Sequence, residues 1–296
     1  MKLFVLLGLS VCCCFLGCSA FAPPQSFQPK QTASTRKSSL SRPLSPPSLG
    51  TTTRSHAPFA SMSLKAASSD SESPNPSISL PYAGLWVALI VFAFALAPGE
   101  LNSQADTALI AELVANPLTP DTNDLWFTVW NCFTIVPLAL AALLLPGSRG
   151  PLPSTPFIWG SAFLGYFALG PLMATREPSD SAISRSDCGF FTRNVLESKV
   201  FAALLTLLTL SIPVTTHLAA DIASGQLPAV LSGFEELFAS SRFVSVATAD
   251  ISVLSLLAAF LVPEDMRRRN MEPSSAFIAL AAVPVLGPCL YLLLRE

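Results

Sequence analysis

FVSVATADISVLSLLAAFLVP, residues 243 to 263, holds one ionisable side chain, Asp250, in an otherwise uncharged and mostly apolar run. At about 1.5 Å rise per residue, a helix of this length crosses the hydrocarbon layer of a bilayer. Five further runs outward from it have the same character: residues 81–97, 125–145, 157–174, 200–220 and 276–294. Their apolar residues cover every face, whereas membrane barrels alternate polar and apolar positions in short segments. Lipid leaves no backbone group solvated, so the expected fold is all-α: a polytopic bundle of about six transmembrane helices spanning residues 81–296.

Composition agrees with that reading. The 296 residues are 51% apolar and only 12% charged, with mean hydropathy +0.54, about half the charge of a soluble domain. Seventeen basic groups nearly balance nineteen acidic ones, which gives no basis for nucleic-acid binding. Two connections carry their own helical signals. Residues 106–115 read as a surface helix, and residues 226–239 as a helix with an apolar stripe toward the membrane surface. Lys and Arg number seven on the side of the first, third and fifth loops and two on the other, which places the odd loops on the inner side of the membrane.

Polar groups inside the runs are the candidate site. Asp250 lies eight residues into the fifth run, where a carboxyl costs several kcal/mol unless it finds a partner. Asn131 in the second run and His217 near the end of the fourth are the candidate partners. Such a trio serves either as an ion or proton relay or as a hydrogen-bonded clamp between helices, and the clamp is the favoured reading. Arg267, Arg268 and Arg269 follow the fifth run and are expected as a basic anchor at the membrane edge. Prolines 137, 171, 213, 284 and 288 fall inside runs and should kink them. Cys132, Cys188 and Cys289 lie in or beside apolar segments, a pattern of small buried hydrophobes rather than of disulfides or a metal site. No phosphate-binding loop and no zinc-protease motif occurs, so no enzyme is expected and no cofactor is assigned. Chlorophyll enters only as a pigment whose magnesium His217 could ligate.

The front of the chain is an address. Residues 1–20 combine a basic start, an uncharged run and a small-residue exit, which is the pattern of a signal peptide. Residues 21–69 contain six basic residues and no acid among abundant Ser, Thr and Pro, the makeup of a disordered transit peptide. A linker at 70–80 precedes the spans. The junction Cys18-Ser19-Ala20-Phe21-Ala22-Pro23 resembles the cleavage motif of bipartite plastid presequences in algae with red-derived secondary plastids, with Phe21 at the aromatic position. That resemblance implies import into a plastid.

A second resemblance covers most of the chain after residue 125. Residues 242–250 and 263–269, Asn131-Cys132-Phe133 with Pro137, residues 146–150 and the tail 286–295 resemble a family of small polytopic membrane proteins of cyanobacteria and plastids. It implies a membrane protein of photosynthetic lineage and brings no activity with it. Where that family has an aromatic residue and a histidine near the start of the fifth span, this chain has Phe243 and Ser245. The expected function is therefore a structural or assembly component of a thylakoid membrane complex, with membrane lipids and other membrane proteins as partners. The alternative is a small-solute or ion transporter working through Asp250.

Overall fold

The computed structural model describes residues 78–148, 150–178, 182–183, 188–272 and 274–295; the expected signal peptide, the transit peptide and most of the linker lie outside them. Among the described residues the chain is helical, without a strand. Helix α1, Leu80–Val91, carries Pro81 in its first turn, where a missing N–H costs nothing, and continues as a π turn over Phe92–Leu96. Most later helices start on a hydroxyl or amide cap that satisfies otherwise unmet N–H groups. Ser103 caps α2 (Gln104–Ala115), and Asn123 caps α3 (Asp124–Leu144) through the amides of Leu125 and Trp126. Helix α4 spans Ser154–Thr175. Ser198 caps α5 (Lys199–Thr215), and short α6 (Leu218–Ala223) and α7 (Leu227–Ser240) follow. Ser241 caps α8 (Arg242–Arg268), Ser274 caps α9 (Ser275–Ala281), and α10 is Leu286–Leu294.

Helix α3 is the central post, packed against α8, α4 and α5, while α1 lies on α4 and α10 on α5. Residues 139–144 of α3 are buried on every face. Outward, the same bundle displays large apolar side chains: Phe94, Phe163, Leu164, Leu207, Val214 and Phe260 are each more exposed than buried, Phe163 at 90%. Three helical stretches, Asp124–Gly147, Ser154–Thr175 and Arg242–Arg268, are long and apolar enough to cross a membrane, and Leu80–Leu96 and α5 are shorter apolar helices.

Three boundaries differ from the hydropathy reading. The run at 276–294 is not one helix: α9 and α10 meet at a turn through Pro284, which can supply no N–H to continue the helix, and Val285 there takes φ 60°. Gly287 lets α10 close on the Leu280 carbonyl, a contact that any Cβ would obstruct. The run at 200–220 stops at Thr215, and His217 at φ 63° turns the chain into α6. The run at 243–263 passes through Pro263 and stays helical to Arg268, so the basic cluster belongs to the helix end rather than to a following loop. The two helices expected at 106–115 and 226–239 are present as α2 and α7, and Phe234 and Phe238 are the buried side chains of α7.

Candidate functional site

Helix α4 breaks at Gly165, whose φ of 56° and ψ of −138° lie outside the helical range and suit a residue without a Cβ. The break frees the amide of Tyr166 from its own helix. Asp250 of α8 accepts that N–H through Oδ1 at 2.7 Å, and a Cβ built on Gly165 would fall inside the Asp250 carboxyl. Glycine at 165 therefore makes both the orphaned donor and the space for its acceptor. Six residues beyond Gly165, Pro171 leaves the Phe167 carbonyl without its helical donor. The indole Nε1 of Trp86 on α1 supplies a hydrogen bond to it at 3.0 Å, and Gly170 gives the ring its seat.

Asp250 is only 4% exposed, yet it lines a cavity of about 930 Å³ between the end of α1, the start of α2, and helices α3, α4 and α8. Trp130, Phe133, Trp159, Phe163, Phe167 and Phe243 form much of its wall. Phe243 meets Trp126 and Trp130 edge to face with ring centroids 5.6 and 5.7 Å apart, and the two tryptophans lie tilted against each other at 6.2 Å. Charged groups gather at the N-terminal end of α8. Arg242 donates to the carbonyls of Phe94, Ala97 and Gly99, closing the end of the α1 turn. Asp106 of α2 accepts from the Ser241 hydroxyl at 2.5 Å and the Phe243 amide at 3.1 Å, an anion at a helix N-terminus.

Neither candidate partner of Asp250 meets it. Asn131 donates back to the Phe127 carbonyl of its own helix at 2.8 Å. His217 is exposed at the end of α5 and acts electrostatically on Asp124, which faces Asp221. No hydrogen bond links either residue to Asp250, and His217 lines neither the apolar cavity nor the polar one described next.

The three arginines also part company. Arg267 is exposed, but Arg268 is buried at 2% and donates to the Leu143 carbonyl at 2.5 Å and to Asp265 at 3.2 Å. Its Nη1 is pressed against Gly147 and finds no acceptor among the described residues. Arg269 bonds both carboxyl oxygens of Glu197 at 2.7 and 2.8 Å and Asp265 at 2.9 Å. Burial works against the Arg269 charge, but Glu197 and Asp265 outweigh it and hold the guanidinium above its ordinary range. Arg295 reaches Asp265 at 3.0 Å and Glu197 at 3.1 Å, and Tyr291 donates its hydroxyl to Asp265 at 2.8 Å. Beside this cluster, Arg176 and Glu264 form a buried two-point pair. The cluster lines a second, polar cavity of about 540 Å³, which Lys199 borders.

Sequence reasoning found Asp250 but missed Gly165, Tyr166, Asp106, Arg242, Glu197, Asp265, Tyr291 and Arg295. A glycine in mid-run, with Gly160 and Gly170 either side, was the available signal for the break. The signal for the cluster was charges placed just outside three separate apolar runs. Cys132 and Cys289 are buried thiols, as small hydrophobes would be. Among the described residues no group of three or more His, Cys, Asp or Glu is placed to hold a metal ion. No protein-family model, curated protein or solved structure matches the chain.

Proposed function

We propose that this chain is an integral membrane protein of the plastid, resident in the thylakoid, that serves without catalysis as a structural or assembly component of a larger membrane complex. The observation that carries the reading is the outward display of Phe94, Phe163, Leu207, Val214 and Phe260 around a core that is already packed. Exposed apolar area on that scale needs lipid or a partner to cover it. In this reading six spans are counted as α1 with its π turn, α3, α4, α5, α8, and the α9–α10 pair taken together. The plastid assignment rests on the two-part leader at residues 1–69, and Arg267 lies at the lipid edge of α8.

Transport of a small solute or ion draws on the same cavity, since Asp250 lines it. A relay, however, needs a second group to pass the proton or ion onward, and the hydrogen bond that Asp250 makes is to a backbone amide. A clamp needs no more than that. The assembly reading is tested by purifying the tagged protein from plastid membranes in mild detergent and identifying what migrates with it. Co-migration with other membrane proteins, in a particle larger than one chain, is the expected result. Migration as a lone chain overturns the reading.

A further inference from the structure

We infer that the cavity beside Asp250 is a binding site for an uncharged, lipid-soluble amphiphile with one hydroxyl on an apolar body, such as a long-chain or isoprenoid alcohol. Four observations converge on that class. The volume of about 930 Å³ lies within the range of small-molecule sites, which are mostly apolar with few polar groups. The wall is aromatic, and its rim includes Phe94, Phe163 and Leu164, whose outward faces are exposed. A ligand therefore enters sideways from the acyl-chain region instead of from water. Deep in the wall the Asp250 carboxyl has one oxygen committed to the Tyr166 amide, and no hydrogen bond among the described residues reaches the other. An acceptor on the wall of an apolar cavity calls for a donor.

The identity of the donor follows from cost. Asp250 lies eight residues beyond Arg242 along α8, about 12 Å at roughly 1.5 Å per residue. Bringing an ammonium group to that depth means desolvating a full charge beside aromatic rings. A hydroxyl loses far less on the same journey, donates one hydrogen bond to the free oxygen and leaves its tail among the rings. A fatty acid presents a second carboxyl to the first and is disfavoured. Of the charged rim, Asp106 is held by Ser241 and Phe243 and Arg242 by three backbone carbonyls, while Glu100 is exposed at the surface, away from the Asp250 end.

The inference rests on the bundle lying in lipid but not on assembly with partners. The test uses the full chain in lipid nanodiscs and a C18 alcohol carrying a mid-chain diazirine, with the matching amine, acid and hydrocarbon as separate probes. After irradiation, labelled peptides are mapped by mass spectrometry. The alcohol is expected to label α4 near Ala162 and α8 near Val246, saturably and in competition with unlabelled alcohol, well above the other three probes. Asp250→Leu should cut that labelling about tenfold, the worth of one well-made buried hydrogen bond. Asp250→Asn should keep it within about twofold, since its oxygen takes the Tyr166 N–H and its NH2 donates to the oxygen of the ligand's hydroxyl. Ala247→Phe fills the cavity one helical turn before Asp250 and should block labelling even if Asp250→Leu does not fold. Unsaturable labelling spread over the outward faces of α1 and α5, equal labelling by the hydrocarbon, or labelling that survives Ala247→Phe would each overturn the site. A chain that assembles but shows no saturable label defeats this inference alone; a lone chain that labels saturably defeats the assembly reading alone.

Discussion

Gly165 and Asp250 depend on each other. Substituting Gly165→Ala puts a methyl group where the Asp250 carboxyl sits and forces an L-residue into a backbone region that glycine alone occupies without strain. The expected loss is about 3 kcal/mol or more, because strain and displaced packing add. Thermal unfolding in detergent measures it. Asp250→Asn keeps an acceptor for the Tyr166 amide and should fall by under about 1 kcal/mol, whereas Asp250→Ala leaves that buried amide unmet at about 1–3 kcal/mol. A ranking of Ala at 165 worst and Asn at 250 mildest is the signature of a helix-break clamp. Asp250 could be picked out in the sequence as a costly interior group. Its partner could not, because a backbone N–H released by a glycine has no residue type of its own. Asn131 and His217 had the right chemistry in the wrong places, one turned back on its own helix and the other outside the bundle.

Elements are held to one another by the same repair of broken helices. Trp86 on α1 fills the donor vacancy that Pro171 creates in α4, so the contact between those helices combines a hydrogen bond with the seating of an indole over Gly170. Trp86→Phe retains most of the ring and removes the donor. It should cost about 1–3 kcal/mol, the penalty for a carbonyl left without a partner, and hydrogen exchange at the first turns of α1 should quicken as its hold on α4 weakens. Helix existence at this scale was plain from hydropathy, which marked all the runs that became α1, α3, α4, α5 and α8. Endpoints were not. Proline has opposite meanings in Pro263, which α8 absorbs, and Pro284, which separates α9 from α10. Packing on the neighbouring helices decides between them, and a window of local sequence contains no record of it.

Across the whole molecule, Asp265 collects Arg268, Arg269, Arg295 and Tyr291, and Glu197 joins two of those arginines. Removing the central anion leaves several buried cations without it, and breaking such an arrangement is far more harmful than its net worth suggests. Asp265→Asn should lose about 3–5 kcal/mol in detergent unfolding, with the peripheral change Glu197→Gln losing less. Equal losses would mean that Asp265 is not the hub. The sequence presented these charges as loop residues at the edges of separate spans, and the arginines as one outward patch. Only the three-dimensional arrangement shows that the side chains converge, because the cluster draws residue 197 and residue 295 to one point.

That convergence sets an order in time. A chain that enters its final membrane N-terminus first presents Glu197 and Asp265 before Tyr291 and Arg295, so for an interval the hub waits for the two side chains that complete it. The bundle then locks in a late step, when α10 arrives and Lys199 takes hold of the Leu293 and Arg295 carbonyls. Until then the bundle has an unfinished seam at that end.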